Sequence, residues 1–114
     1  MRKVHLRTAS GRVLVDQCML ANTFFGRLKG LLGKKELSSN EALLLIPCDM
    51  IHTLGMRFSI DAIFVDKQGE IIKIEENLKP HRLAARVRNA HSVVEMAAGM
   101  TKKLGLVPGD TLRW

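Results

Sequence analysis

The stretch Ile60–Ile74, IDAIFVDKQGEIIKI, decides how the rest of the chain is read. Ile60 to Val65 is β-branched and aromatic, a composition that suits a pleated, half-buried surface. Asp66-Lys67-Gln68-Gly69 follows as a turn whose glycine can take positive φ, and Glu70 to Ile74 resumes the strand pattern. The segment therefore predicts a β-hairpin. One residue interrupts its apolar run. Asp61 shares a strand face with Ile63 and Val65, which predicts that it is half or fully buried. A buried carboxylate needs a partner, and Arg57 or His52 is the natural candidate nearby.

Toward the N-terminus, Ala42 to Ile46 is an apolar run too short for an independent helix and closed by Pro47, so it reads as a buried strand. Val4 to Arg7 alternates, Ser10-Gly11 breaks the pattern and Arg12 to Met19 restores it, which predicts an opening hairpin. Thr23 suits a helix N-cap. Phe24, Phe25, Leu28, Leu31 and Leu32 recur at spacings of three and four, with Arg27, Lys29 and Lys34 on the other side. The spacing predicts an amphipathic helix over about 23–32, with Gly33 as its stop. Toward the C-terminus, Lys79 to Asn89 is basic and interrupted by Pro80, and reads as a long loop or a marginal helix. Ala90 to Met96 reads as a strand. A helical turn or two at about 99–104 and a turn at Pro108-Gly109 lead into a last strand, Asp110 to Trp114. The whole predicts an α+β, β-rich single domain over residues 1–114. Its core is a curved or barrel-like, mostly antiparallel sheet of about six or seven short strands.

With 114 residues the chain is one domain, and 46% apolar with 25% charged residues excludes disorder. Four Phe, one Trp and no Tyr leave an aliphatic core with six Met as gap-fillers, and argue against a base-stacking surface. The net charge of +7 comes from 18 basic and 11 acidic residues. The basic residues are spread over four regions (2–12, 27–35, 79–88, 102–103), and no nucleic-acid motif accompanies them, which argues against a nucleic-acid partner. No window approaches the roughly 20 apolar residues of a membrane span, and the first residues lack a signal-peptide pattern. The expected location is cytoplasmic, where Cys18 and Cys48 stay free thiols.

Chemistry concentrates in Pro47–Asp66, PCDMIHTLGMRFSIDAIFVD, where a cysteine, a histidine, an arginine and an aspartate surround an apolar strand. Cys48 with His52 is the candidate catalytic pair, a nucleophile and its base. Against it stands the reading of Cys48 as a small buried hydrophobe and His52 as a hydrogen-bonded strut. Cys48, Met50 and His52 alternate, so an extended segment presents all three on one face, a set suited to Cu(I) or zinc. Yet C-x-x-C and H-x-x-x-H spacings are both missing, and no metal or cofactor is assigned. Glu95, between Val94 and Met96, repeats the buried-carboxylate problem of Asp61. His52, Arg57, Asp61, Arg82 and Glu95 form the candidate ligand-binding set, built on an ion-pair lattice that fixes the sheet register. Lys79-Pro80-His81-Arg82 with Arg86 and Arg88 is a solvated basic loop or a grip for an anionic ligand.

Three further segments carry a resemblance. Arg27-Leu28-Lys29-Gly30-Leu31-Leu32-Gly33 has an R-x-x-G-L-x-G pattern. Pro47-Cys48, Ile51-His52-Thr53, Met56-Arg57-Phe58-Ser59-Ile60-Asp61 and Phe64-Val65-Asp66 form a central signature. Val94-Glu95-Met96-Ala97-Ala98-Gly99 with Gly109-Asp110 closes the chain. Together they resemble the domain-of-unknown-function family 192, nearly end to end. Leu32 stands where Met is usual, and Ser59 and Ala97 where Pro is common. The resemblance implies a small, mostly prokaryotic α+β domain, found alone or behind export signals, and implies no reaction, substrate or cofactor.

The reading that results is a non-catalytic binding or accessory domain. A small polar pocket would take an anionic or polar ligand or a segment of a protein partner. The alternative is a small hydrolase or transferase using Cys48 and His52, or a metal bound by them. Monomer and dimer both remain open.

Overall fold

The computed structural model describes residues 2–84 and 86–114, and all side chains among them except those of Phe24, Phe25 and Leu28. The elements run β1 (Arg2–Thr8), β2 (Val13–Ala21), α1 (Phe24–Lys29), β3 (Glu41–Leu45), β4 (Ile60–Val65), β5 (Ile71–Leu78), β6 (Ser92–Ala97), α2 (Met100–Lys103) and β7 (Leu112–Arg113). The seven strands make one sheet in the order β5-β4-β6-β3-β2-β1-β7. Every neighbouring pair is antiparallel except β2 and β3. A parallel pair needs a crossover of a dozen or more residues. The chain between Ala21 and Glu41, which contains α1, supplies it.

The β4–β5 hairpin turns where the sequence predicts. Asp66 Oδ1 accepts the N–H groups of Gln68 and Glu70 at 2.9 and 3.0 Å, and Gly69 sits at φ +87°. That turn also closes the sheet. The Leu112 N–H donates to the Gly69 carbonyl at 2.8 Å, and the Ile71 N–H donates to the Asp110 carbonyl at 2.8 Å. The first residues of β5 thus meet the approach to β7, and the outer strands touch at one end. The result is a curled half-barrel.

Side chains alternate across a strand, and the curl sorts them into two cores. Inside it lie Leu6, Leu44, Ile63, Val65, Val94, Met96 and Leu112, with Met100 of α2 packed beneath. On the outer face Leu43, Leu45, Ile60, Phe64 and Val93 are covered by Leu31, Leu37, Ile51, Met56 and Ala84 from the connections. β4 is buried on both faces, which explains its near-continuous apolar run despite antiparallel pairing. Burying both faces is what forces any polar residue on β4 or β6 to find a partner or a cavity.

The expected helix is shorter than its pattern. The Thr23 hydroxyl caps it, accepting the Gly26 N–H at 3.0 Å, but it ends at Lys29 and not near 32. Gly30 takes φ 49° and ψ −126°, outside the helical region, so the chain turns three residues before Gly33. The apolar positions Phe24, Phe25 and Leu28 lie outside the described side chains. Leu31, beyond the helix, is buried in the outer core, and Leu32 is exposed. The second helical turn forms at Met100–Lys103 as expected. The basic stretch 79–89 is a loop in its described residues. Among the described residues of the whole chain, no helix is long and apolar enough to cross a membrane.

Candidate functional site

Strand β6 places Glu95 on the outer face, opposite Leu43 of β3 and Ala62 of β4. The residues after β3 cross over it. From Met50 to Leu54 burial alternates: Met50, His52 and Leu54 are exposed, Ile51 and Thr53 buried. The basic loop holds this segment in place. Val87, Ala84 and Arg82 pair by backbone hydrogen bonds with Asp49, Ile51 and Thr53, and the Cys48 N–H donates to the His91 carbonyl at 2.9 Å. The Thr53 hydroxyl donates to the Lys79 carbonyl at 2.6 Å and accepts the Arg82 N–H at 2.9 Å. Arg86 Nε donates to Asp49 Oδ2 at 2.7 Å.

Between this segment, the α1 exit and β6 lies a pocket of about 340 Å³. Glu95 lies in its wall. Only 4% of its surface is exposed, and its carboxyl has no hydrogen bond or ion pair among the described residues. Burial pushes that carboxyl up to about 8, so it carries its proton at neutral pH. Leu31, Leu45, Ile51 and Met56 supply apolar wall, while Arg27 and Lys29 add positive charge. Arg27 is half-buried and anchored, its Nη1 donating to the carbonyls of Asn22 at 3.1 Å and Ile46 at 3.3 Å.

Cys48 and His52 line the same pocket, and among the described residues no hydrogen bond joins them. The Cys48 thiol donates to the Met50 carbonyl at 3.2 Å. His52 Nδ1 accepts the Leu54 N–H at 3.2 Å. The Cys48 thiol is raised above its ordinary value, first by burial and further by Glu95 and Asp49, while a backbone hydrogen bond with Met50 and the Arg27 charge oppose the rise. A nucleophile needs the opposite shift. Cys18 is fully buried on the inner face and pushed up to about 12 by burial, and both cysteines are free. Cys48, Met50 and His52 all line the pocket. Among the described residues no group of three or more His, Cys, Asp and Glu side chains is placed to hold a metal ion.

The expected ligand set does not assemble as one cluster. The pocket gathers His52 and Glu95, whereas Arg57 and Arg82 are exposed and do not line it. Asp61 is on the other face. In the β4–β6 register Asp61 pairs with Met96 and Ala62 with Glu95, so the two carboxylates point to opposite sides of the sheet. Asp61 is fully buried, as its strand position predicts, but its partner is neither Arg57 nor His52. It accepts the Asn77 N–H at 2.9 Å, the Gly99 N–H at 3.1 Å, the Thr101 N–H at 3.0 Å and the Thr101 hydroxyl at 2.7 Å. Burial raises this carboxyl, but the hydrogen bonds from Asn77, Thr101 and Gly99 outweigh it and hold it below its ordinary value. Asp61 thus ties β4 to β5 and to the start of α2. Among the described residues no ion pair links His52, Arg57, Asp61, Arg82 and Glu95. Arg27 and Lys29, which the helical pattern sets on a solvated side, instead face the pocket; their sole sequence signal was the R-x-x-G motif.

A family model described as "Uncharacterized ACR" matches residues 5–114. A UPF0127 protein of Pyrococcus furiosus is 28% identical over 114 residues, covering 96% of each chain. The crystal structure of a protein of unknown function from Novosphingobium aromaticivorans superimposes with a TM-score of 0.83 at 27% identity, covering 98% of this chain and 84% of that one. A Sinorhizobium meliloti protein, provisionally described as a transcription regulator, superimposes with a TM-score of 0.82 at 30% identity, covering 99% of this chain and 95% of that one.

Proposed function

This chain belongs to the domain-of-unknown-function family 192, and from that premise we propose that it is a non-catalytic binding domain whose pocket, walled by Glu95, His52, Cys48 and Arg27, takes a small polar ligand. One observation carries the reading: a carboxyl that is almost wholly buried, lacks a partner among the described residues and borders an open cavity of about 340 Å³. An unpaired buried carboxyl destabilises a fold. A ligand that supplies a hydrogen-bonding or charged partner turns that cost into affinity. The amphipathic pattern over 23–32 belongs to the same reading, since its polar positions Arg27 and Lys29 border the pocket.

The competing enzyme reading needs Cys48 as a thiolate with His52 as its base. It is disfavoured by a thiol raised in pKa and engaged with Met50, and by an imidazole engaged with Leu54. Nucleic acid, which the description of the S. meliloti relative raises, is disfavoured by basic residues spread over four sequence regions and by the pairing of Arg86 with Asp49. Two free thiols suit a reducing compartment, so a cytoplasmic site of action accompanies this reading.

The test is an NMR screen of the isotope-labelled chain against small amines, carboxylic acids and amides. Amide shifts should cluster on Cys48, Ile51, His52 and Glu95, and should vanish in Glu95→Leu for compounds that engage the carboxyl. Shifts confined to the 8–12 and 104–111 turns, or turnover of a probe that is lost in Cys48→Ser, would overturn the reading.

A further inference from the structure

The charges in the pocket wall narrow the ligand. Resting on the binding reading above, we infer that the pocket takes a free aliphatic α-amino acid, with its ammonium group on Glu95, its carboxylate on Arg27 and Lys29, and its side chain against Leu31, Leu45, Ile51 and Met56.

Four observations lead there. Glu95 is a buried acid that makes no ion pair among the described residues. Arg27 and Lys29 border the same pocket, and neither forms an ion pair with Glu95 among the described residues. Arg27 is held by the carbonyls of Asn22 and Ile46 through Nη1 alone. A guanidinium carries five N–H donors in a fixed fork, so three of them, on Nε and Nη2, have no partner among the described residues and remain for a carboxylate. Lys29, exposed in the same wall, likewise makes no ion pair among the described residues. The buried side chains of Leu31, Leu45, Ile51 and Met56 give the wall an apolar part. At about 340 Å³ the cavity lies near the lower end of ligand pockets, roughly 300–1,000 Å³, which suits a metabolite and not a dinucleotide.

A bare amine satisfies Glu95 but meets Arg27 and Lys29 as like charges. A bare carboxylate satisfies the cations but, being an acceptor only, brings no donor to the Glu95 carboxyl. A zwitterion satisfies both, and its apolar side chain replaces water along the wall. The proton balance follows. Free Glu95 is protonated at pH 7; pairing with an ammonium group favours the carboxylate, so binding releases a proton to buffer. The other titratable and charged groups around it are Cys48, Asp49, His52, Arg27 and Lys29, whereas its strand neighbours Leu43 and Ala62 carry no charge.

The experiment is isothermal titration of the full chain with L-leucine, L-methionine and L-valine, with the deaminated analogue 4-methylpentanoate, and with the decarboxylated analogue 3-methylbutylamine. At least one amino acid should bind, and each truncated analogue should bind at least tenfold more weakly. Titration at pH 7 in buffers of different ionisation enthalpy should give close to one proton released per site. Glu95→Gln, which can still donate a hydrogen bond to a carboxylate but cannot pair with ammonium, should weaken the amino acid at least tenfold and abolish proton release. Lys29→Met, at an exposed position that leaves the fold intact, should weaken it severalfold, as should Arg27→Met if that variant stays folded.

If 4-methylpentanoate binds as well as leucine and ignores Glu95→Gln, the ligand is a carboxylate; the amino-acid assignment fails while the binding reading stands. If no amino acid binds but amines, acids or amides still shift the pocket amides, the outcome is the same. If nothing shifts those amides, the binding reading itself fails.

Discussion

Replacing Asp61 by alanine removes the acceptor for three backbone N–H groups and one hydroxyl, at distances of 2.7 to 3.1 Å. Asn77 and Gly99 are exposed, so water can take over their N–H groups. Thr101 is fully buried, and its N–H and hydroxyl would be stranded. At about 1–3 kcal/mol for each buried unsatisfied donor, allowing for partial relaxation of α2, the loss comes to about 2–4 kcal/mol. A domain of this size unfolds in urea with a slope of about 2 kcal/mol per molar, so the midpoint should fall by about 1–2 M. Asp61→Asn supplies a control that keeps the shape. The folded-state carboxyl titrates below its ordinary value of 3.8. Its stabilisation is therefore complete above that pH and is lost as pH falls through the folded-state pKa. The stability gap between the parent and Asp61→Asn should narrow below about pH 4. A midpoint unchanged in Asp61→Ala, or a gap that stays constant from pH 7 to pH 3, would refute the assignment of Asp61 as the tie between β4, β5 and α2.

Glu95 has the opposite sign. Its folded-state pKa of about 8 lies above the ordinary 4.5, so the parent should lose stability as pH rises between those values, by on the order of 3–5 kcal/mol. Glu95→Gln should show no such loss, and parallel pH profiles for the two proteins would contradict the burial of an unpaired acid. Gly69→Ala should cost about 2–4 kcal/mol, because the added Cβ meets the Leu112 carbonyl oxygen at 2.6 Å at a residue with φ +87°. A thermal midpoint within a degree of the parent would mean that the β5–β7 closure is loose. At pH 8 iodoacetamide should modify Cys48 slowly and leave Cys18 intact until the chain unfolds, with His52→Ala changing the Cys48 rate less than twofold. A tenfold change would restore the coupled-pair reading.

Much of the architecture is legible from local pattern. The β4–β5 hairpin follows from β-branched residues around an Asp-x-x-Gly turn, and the burial of Asp61 follows from its parity with Ile63 and Val65. The strand runs at 42–46 and 90–96 likewise need only composition and punctuation. What escapes the sequence is long-range. Backbone N–H groups carry no signature, so nothing announces that Gly99 and Thr101 would satisfy Asp61 from about 40 residues away. Registry between β4 and β6 is equally silent. A shift of one residue would bring Asp61 opposite Glu95 on one face, and the observed register sends them to opposite faces. Parity alone therefore suggested one polar cluster where the fold makes a buried tie and a separate pocket. Arg27 and Lys29 escaped because the helical pattern sets them on a solvated side, whereas in the fold they border a pocket with the residues after β3.

The measurement closest to the central claim is the titration of the Glu95 side-chain carboxyl carbon by NMR in the ligand-free chain, with Glu95→Gln to assign the resonance. A midpoint near 8 is expected for an acid buried without a partner in the pocket wall. A midpoint between 4 and 5 would mean that the carboxylate is solvated or paired, and the binding pocket would lose the group on which it is built.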